Sequence, residues 1–183
     1  MAKNLILMMG IPGVGKSTLL KEKCNPKTDI IVSRDAIRFN ILKDTDDYFS
    51  NEQAVWQEYI MTLQLFLTDD RWENVIADAT HLNPRTRDKV LDALDKILKK
   101  EGIDVYVLWV NASLETALNQ NSQRKGRALV PESAIKNMYK SLQPPIEREN
   151  FYFWGYLGSP INLIFKKGVN NNEQDFSQLR FTF

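Results

Sequence analysis

The sequence predicts an α/β fold in which a central parallel sheet is flanked by helices. Short apolar segments alternate along the chain with longer amphipathic ones, as they do in β-α-β units. A glycine-rich stretch separates the first apolar segment from the first helical one, where a strand must turn sharply into a helix. The 183 residues are 43% hydrophobic, which is enough for one buried core. We therefore expect a single domain over residues 1–183, with a core over about 1–166 and a tail over about 167–183.

In the first half of the chain, strands and helices are predicted in alternation. Residues 4–9 (NLILMM) are apolar after Asn4, which is typical of a strand buried on both faces, and residues 29–33 (DIIVS) are a weaker second strand. The strongest helix signal covers residues 51–67, where Val55, Tyr59 and Leu63 recur at helical spacing. The predicted helices of this half span residues 16–24, 35–42 and 51–67.

The second half of the chain continues the same alternation. Asn83 and Pro84 are a favourable N-cap and first residue for a helix that runs to about Lys100. A basic, glycine-containing stretch at residues 123–130 interrupts the helical periodicity and predicts a loop between two helices. The predicted strands of this half span residues 74–79, 104–110 and 161–165, and its later helices span residues 113–122 and 131–142.

The glycine-rich turn has the spacing of a phosphate-binding loop. Gly10 is followed after four residues by Gly15, Lys16 and Ser17, and the motif lies between a predicted strand and a predicted helix. Backbone amides and the helix N-terminus would bind the phosphates of ATP, Lys16 would reach the β- and γ-phosphates, and Ser17 would ligate Mg²⁺. In this setting a turn that binds nothing is the weaker interpretation. The predicted nucleotide-binding residues are Gly10, Gly13, Val14, Gly15, Lys16, Ser17 and Thr18.

Charged residues follow two further predicted strands at the edge of the sheet where ligands collect. Asp35 and Arg38 share a helix face after the second strand. They are either an ordinary ion pair or a base and an anion-binding group for a phosphate acceptor. Asp78 ends the third strand and either caps the turn before Pro84 or, as we prefer, helps to hold Mg²⁺, its water or the basic residues around the phosphates. Thr80 beside it is expected to face the acceptor. His81, the only histidine, is expected to be a surface turn residue.

The basic loop at residues 123–130 is interpreted as a lid. Loops that carry arginines are usually solvated surface, but they also neutralise the γ-phosphate oxygens during phosphoryl transfer. We expect Arg124 and Arg127 to be the working residues of this lid, with Arg124 in the catalytic role and Arg127 contacting the nucleotide.

Composition limits the possible partners. The formal net charge is only +1, so any contact with nucleic acid must be local rather than spread over the surface. The single cysteine, Cys24, fits a reducing compartment, and no apolar segment reaches the length of a membrane span. The expected location is the cytoplasm, without a membrane partner. The oligomeric state stays open.

Four motifs together resemble the kinase domain of phage-type 5′-polynucleotide kinases, a family of P-loop kinases. GIPGVGKST, SRDAIR, DATHLNPRTR and NSQRKGRALVPESAIKNMYKSL occur in that family's order and spacing, and the match touches most of residues 4–142. The resemblance implies a P-loop kinase fold with an arginine-bearing lid. It also implies ATP as the phosphate donor, Mg²⁺ as the cofactor and the 5′-hydroxyl end of DNA or RNA as the acceptor.

The resemblance also assigns roles to individual residues. Lys16 and Ser17 would handle ATP and Mg²⁺, Asp35 would be the general base, and Arg38 would bind the phosphate on the 3′ side of the acceptor nucleotide. Asp78 would organise the site and Arg124 would stabilise the transition state. Gln120 replaces an arginine that is common in the family, and the lid is one residue longer. The choice between Arg124 and Arg127 therefore stays open.

Two rival functions use the same scaffold. The first is a small-molecule kinase, for example one acting on a sugar nucleotide or an antibiotic, which the near-neutral net charge allows. The second is a nucleotide-dependent switch without phosphoryl transfer, which is disfavoured because neither D-x-x-G after the third strand nor N-K-x-D is present.

Overall fold

The structure is a computed structural model that describes residues 3–43, 46 and 50–145 and the backbone of residues 152–157. Its strands are β1 (Asn4–Met9), β2 (Asp29–Ser33), β3 (Asn74–Asp78), β4 (Asp104–Asn111) and β5 (Tyr152–Leu157). Its helices are α1 (Lys16–Lys23), α2 (Arg34–Ile41), α3 (Glu52–Leu67), α4 (Pro84–Glu101), α5 (Leu114–Ser122) and α6 (Glu132–Lys140), with a 3₁₀ turn at Gly126–Ala128 in the predicted lid.

The strands form one parallel sheet in the order β2-β3-β1-β4-β5. The predicted α/β fold with a parallel sheet flanked by helices is confirmed, and the first four strands lie within one residue of their predicted ends. The strand predicted at residues 161–165 lies outside the described residues. Strand β5 instead occupies residues 152–157, where no strand was predicted, and pairs with β4.

The apolar runs of the strands are explained by burial on both faces of the sheet. Leu5, Leu7 and Met9 of β1 pack into one cluster with α3 and α4, whereas Ile6 and Met8 pack into a second cluster with α1, α5 and α6. Because successive side chains of a strand point to opposite faces, a strand that serves two cores has no polar side.

Strand β3 lies between β1 and β2, and this order builds the site. Asp78 at the end of β3 is in register with Met8 of β1 on one side and with Ser33 of β2 on the other. The turn after β1 and the start of α2 therefore meet on either side of Asp78, at the carboxyl edge of the sheet.

His81 is not the surface turn residue that was predicted. Its side chain is buried, with 4% of the residue exposed, and Nδ1 donates to the carbonyl oxygen of Met8 at 2.7 Å. Burial lowers the pKa of the imidazole to about 4. The turn after β3 folds inward over the end of β1, and sequence alone does not reveal on which side of a turn a histidine lies.

Arg87 of α4 holds this turn in place and is itself fully buried. Its Nη1 donates to the carbonyl oxygens of His81 at 3.0 Å and Gln143 at 3.2 Å. The Gln143 amide in turn donates to the carbonyl oxygen of Leu82 at 2.7 Å. The segment that follows α6 is thereby fastened to the turn that carries Asp78 and Thr80.

No helix in the part of the chain that the structure describes combines the length and the apolar character needed to cross a membrane.

Candidate active site

The turn after β1 has the geometry of a phosphate-binding loop, and its glycines are required by that geometry. Gly15, the N-cap of α1, has φ +95° with open space at its Cβ position, so only the backbone conformation demands glycine there. Gly13 has φ +88°, and a Cβ atom would lie 2.2 Å from the carbonyl oxygen of Ala117 in α5. The loop is therefore packed directly against the backbone of α5, the helix that leads into the lid.

Lys16 folds over this loop. Its Nζ donates to the carbonyl oxygens of Gly10 at 2.7 Å and Ile11 at 3.1 Å. The residue is partly exposed, but its ammonium group lies inside the loop, and burial lowers its pKa to about 8. Asp78 and Asp35 oppose this shift, whereas the positive charge of Arg124 adds to it. The charge of the lysine is thus affected by both carboxylates and by the lid arginine.

The lowered pKa of Lys16 predicts a pH dependence of ATP affinity. Protonated Lys16 attracts phosphate oxygens and neutral Lys16 does not, so the Kd for ATP should be nearly constant below about pH 8. Above that pH the Kd should rise by up to about tenfold per pH unit, until the pKa that Lys16 has in the complex is reached. Equilibrium titration with ATP and Mg²⁺ from about pH 7 to about pH 9.5 measures this.

Lys16→Arg is the matched control for that titration. A guanidinium stays charged over the whole range, so the Kd of the variant should not change with pH, whatever its absolute value. A wild-type Kd that is equally flat would contradict the assignment of Lys16 as the phosphate-binding cation.

Asp78 lies next to Lys16 and is largely buried. Burial raises the pKa of its carboxyl group, while the Lys16 charge and a hydrogen bond to Ser33 oppose the rise. The carboxylate is close enough to Lys16 and to Asp35 for the charge of each to affect its pKa. It can therefore orient the lysine and receive a hydrated cation bound to phosphates.

Two arginines and one carboxylate of α2 meet a carboxylate of α3. Arg38 is buried and donates through Nη1 to Asp35 Oδ1 at 2.8 Å, so the predicted pairing across one helix face is present. Its Nε donates to Glu52 Oε1 at 3.1 Å, and its Nη2 also bonds that oxygen. Arg34 Nη2 donates to the other Glu52 oxygen at 2.6 Å. Glu52, from α3, therefore fixes both guanidinium groups.

Asp35 differs from Arg38 in exposure. The Asp35 side chain is 64% exposed, whereas that of Arg38 is 5% exposed. A base must be reached by the hydroxyl that it deprotonates, and a cation that only holds a substrate in place is more effective in a fixed, partly dehydrated position. The exposure of the two side chains suits these two roles.

Two cavities meet at the phosphate-binding loop. The first has a volume of about 540 Å³ and lies between the start of α1 and the end of α5, lined by Gly15, Ser17, Thr18, Gln120, Gln123 and Arg124. The second has a volume of about 610 Å³ and lies between α2, the end of β3 and the lid. Lys16, Asp35, Arg38, Asp78 and Thr80 all line the second cavity. Ser17 and Arg124 line both cavities.

The second cavity has walls of opposite character. Its polar wall carries the arginines and carboxylates of α2, α3 and β3. Its other wall is mainly apolar and comes from the end of the lid and from α6, with Leu129, Val130, Pro131, Ala134 and Met138. A ligand with an anionic end and a flat apolar face would match both walls.

The two lid arginines have different surroundings. Arg124 lines both cavities and is close enough to Lys16 for its charge to lower the lysine pKa. Arg127 lines only the second cavity, where its guanidinium lies over the Phe39 ring with Cζ 4.9 Å from the centroid. Its Nη2 donates to the carbonyl oxygen of Leu42, just past α2, at 3.2 Å. Arg127 therefore contacts the α2 side of the site, and the nucleotide contact predicted for it stays a prediction.

The donor set for Mg²⁺ is sparse. No cluster of three His, Cys, Asp or Glu side chains suited to a metal ion occurs within residues 3–43, 46 and 50–145. Mg²⁺ in nucleotide sites keeps several waters and takes most of its other ligands from phosphates. The exposed Ser17 hydroxyl and the Asp78 carboxylate are the side chains that would hold such an ion, directly or through water.

The structure thus brings the predicted site residues to one edge of the sheet, but it also adds residues that the sequence did not point to. Glu52 was missed because an acidic residue in the first turn of a helix is ordinary. Gln123, which lines the first cavity, was missed because polar residues in a lid are normally solvated. Only their spatial neighbours identify these two residues.

Known proteins that are similar to this chain include a family of AAA domains and proteins named as kinases. Residues 5–145 match the family described as AAA domain, which is more than half of the chain. The L-seryl-tRNA(Sec) kinase of Methanococcus maripaludis is 28% identical over 152 residues, covering 77% of this chain and 53% of that protein. A protein of Autographa californica nuclear polyhedrosis virus, named as a bifunctional polynucleotide kinase/RNA ligase, is 26% identical over 168 residues.

The viral match covers 86% of this chain and 23% of the viral protein. The chain thus spans about half the length of the archaeal relative and about a quarter of the viral one. Among solved structures, the Pnkp1/Rnl/Hen1 RNA repair complex superposes with a TM-score of 0.60 at 21% identity, over 77% of this chain and 44% of that one. This likeness shows a shared fold.

Proposed function

We propose that this chain, which belongs to the family described as AAA domain and is a P-loop kinase, transfers the γ-phosphate of ATP to the 5′-hydroxyl end of DNA or RNA. The observation that carries the proposal is the meeting of two cavities at Ser17 and Arg124. One cavity lies beside the phosphate-binding loop and suits a donor nucleotide. The other contains Asp35 and Arg38 and suits an acceptor.

The contents of the second cavity favour the end of a polynucleotide. A 5′-terminal nucleotide offers a hydroxyl, a phosphate on its 3′ side and a flat base. Asp35 provides a base for the hydroxyl, Arg38 a cation for the phosphate, and the lid and α6 an apolar wall for the base. A neutral sugar needs neither a buried arginine nor an extended apolar wall. The viral relative, named as a polynucleotide kinase, supports the same acceptor.

Lys16 and Arg124 would neutralise the charge on the γ-phosphate from opposite sides during the transfer. When bound, Mg²⁺ would supply further charge neutralisation at the β- and γ-phosphates. Arg38 is paired with Asp35 in the protein alone. An acceptor phosphate on Arg38 would weaken that pairing and leave the Asp35 carboxylate available to the hydroxyl.

A labelling experiment tests the proposed activity. The protein is incubated with Mg²⁺, ATP labelled on its γ-phosphate and matched DNA and RNA oligonucleotides that carry either a 5′-hydroxyl or a 5′-phosphate. We expect label on the 5′-hydroxyl strands alone. Nucleoside 3′-monophosphates should also be labelled, and the corresponding nucleosides much less, because only the former offer Arg38 a phosphate.

A second acceptor is favoured by one observation, the archaeal relative named L-seryl-tRNA(Sec) kinase. In that reaction class the hydroxyl belongs to a serine carried on the end of a tRNA, which also offers a phosphate and a base. Serylated tRNA therefore forms a further arm of the experiment. Label on serylated tRNA but on no 5′ end would contradict the proposed acceptor and favour a seryl-tRNA acceptor. Label on small metabolites only would favour a small-molecule kinase instead.

A further inference from the structure

The base of the lid is closed by one buried side chain. Asn121, in the last turn of α5, is 2% exposed. Its Nδ2 donates to the carbonyl oxygen of Val130 at 2.7 Å, and the Val130 amide donates to its Oδ1 at 3.1 Å. A side-chain amide that bonds both polar groups of one residue imitates a strand neighbour, and here it bridges nine positions of sequence. We call this pair of hydrogen bonds the lid clamp.

The lid clamp lies between the two halves of the site. The end of α5 and the first residues of the lid line the donor cavity with Gln120, Gln123 and Arg124. The last residues of the lid line the acceptor cavity with Val130 and its neighbours in sequence. The two segments belong to the same loop, and the clamp fixes the distance between its ends.

Arg124 is connected to both ends of the clamp, through its backbone to Asn121 and through its guanidinium to Ala128, two residues before Val130. Its amide donates to the carbonyl oxygen of Asn121 at 3.0 Å, and its Nη1 lies 3.4 Å from the carbonyl oxygen of Ala128 within the loop. Side-chain contacts of the lid with the rest of the protein include the Arg127 bond to Leu42. If the clamp opened, the loop ends could separate and the guanidinium of Arg124 would lose its fixed approach to the γ-phosphate.

We propose that Asn121 is a positioning residue for phosphoryl transfer, which holds Arg124 and the acceptor wall in register through the lid clamp. This inference rests on the proposed phosphoryl transfer but does not depend on the identity of the acceptor. The inference also gives a role to Asn121, although an asparagine near the end of a helix is common and would not attract attention in the sequence.

Asn121→Asp gives a test that can be reversed by pH. The ionised carboxylate still accepts from the Val130 amide but repels the Val130 carbonyl oxygen, so half of the clamp is replaced by repulsion. The protonated acid donates and accepts as the amide does. Burial beside a carbonyl oxygen should raise the pKa of this carboxyl, which brings the change into an accessible pH range.

The measured quantity is the ratio of variant to wild-type kcat at each pH from about 5 to about 8.5. At the upper end we expect kcat to be lowered about ten- to a hundredfold. Towards the lower end the ratio should return towards one, while the KM for ATP changes little at either end. Dividing by the wild-type rate removes the pH effects that both proteins share, including the titration of Lys16.

Asn119→Asp is the matched control, because it makes the same chemical change two residues earlier on an exposed position of α5. Its ratio should stay near one at every pH. A melting curve at each pH establishes that both variants are folded during the assay. A ratio for Asn121→Asp that stays near one throughout, or a loss that does not recover at low pH in a folded protein, would overturn the proposal.

Each assay is run with and without acceptor, so that this inference and the proposed function can fail separately. Absence of transfer to any 5′-hydroxyl would remove the proposed function, whereas the pH-dependent ratio would still be read from ATP hydrolysis. If Asn121→Asp does not fold or the wild type shows no turnover, amide hydrogen exchange tests directly whether the lid clamp is formed. The clamp requires slow exchange of the Val130 amide in the wild type and faster exchange in Asn121→Ser. Equal exchange in the two proteins would overturn it.

Discussion

Replacing Asp35 by Asn is expected to lower kcat for phosphorylation of a 5′-hydroxyl by about 10² to 10⁴, while the Kd for ATP stays nearly unchanged at or below about pH 7, where Lys16 is protonated. Asn cannot accept the proton of the attacking hydroxyl, and Asp35 does not line the donor cavity. The buried Arg38 should keep its orientation, because Glu52 still accepts from its Nε. Single-turnover transfer and equilibrium ATP binding measure the two quantities separately.

The control for this substitution is Asp88→Asn, an exposed position on α4 that lines neither cavity. Its kcat and its Kd for ATP should match the wild type. If Asp35→Asn keeps more than about a tenth of the wild-type kcat, general-base catalysis by Asp35 is wrong. A large rise in the Kd for ATP would instead mean that Asp35 acts on the donor side.

The fold could be predicted from the sequence because its signals are local. The buried strand β1 is bounded by Lys3 and Gly10, and the capping of α4 by Asn83 is present with both bonds of its capping box. The phosphate-binding loop was equally visible, because its glycines and lysine lie within eight residues of one another. The order of the strands could not be predicted, because it depends on where each crossover packs. For example, β3 lies between β1 and β2, although it follows both in sequence.

The site could be predicted only in part, for the same reason. Asp35 and Arg38 are three residues apart, so their pairing followed from helix geometry alone. Glu52 meets Arg38 across 14 residues of sequence, and Asn121 meets Val130 across nine. Burial of His81 depends on how the turn after β3 folds over β1. Contacts of this kind are set by tertiary packing, and a motif search has no access to them.

The second large effect concerns the lid, where the sequence does not decide whether Arg124 or Arg127 is the catalytic arginine. Arg124→Ala is expected to lower kcat by about 10³ to 10⁵, because Arg124 lines both cavities and its charge acts on Lys16. Arg127→Ala should mainly raise the KM for the acceptor, because Arg127 contacts Phe39 and Leu42 on the α2 side. Initial rates with each substrate varied in turn measure both effects.

The two substitutions control for each other, since they remove the same group three residues apart in one loop. Arg124→Lys refines the comparison, because it keeps the charge but loses the planar fork that can hold two phosphate oxygens at once. We expect it to recover only part of the lost kcat. Equal losses in the two alanine variants would mean that the lid acts by its overall charge, and a larger loss in Arg127→Ala would transfer the catalytic role to Arg127. Either result would contradict the catalytic role that we infer for Arg124 from its position between the two cavities.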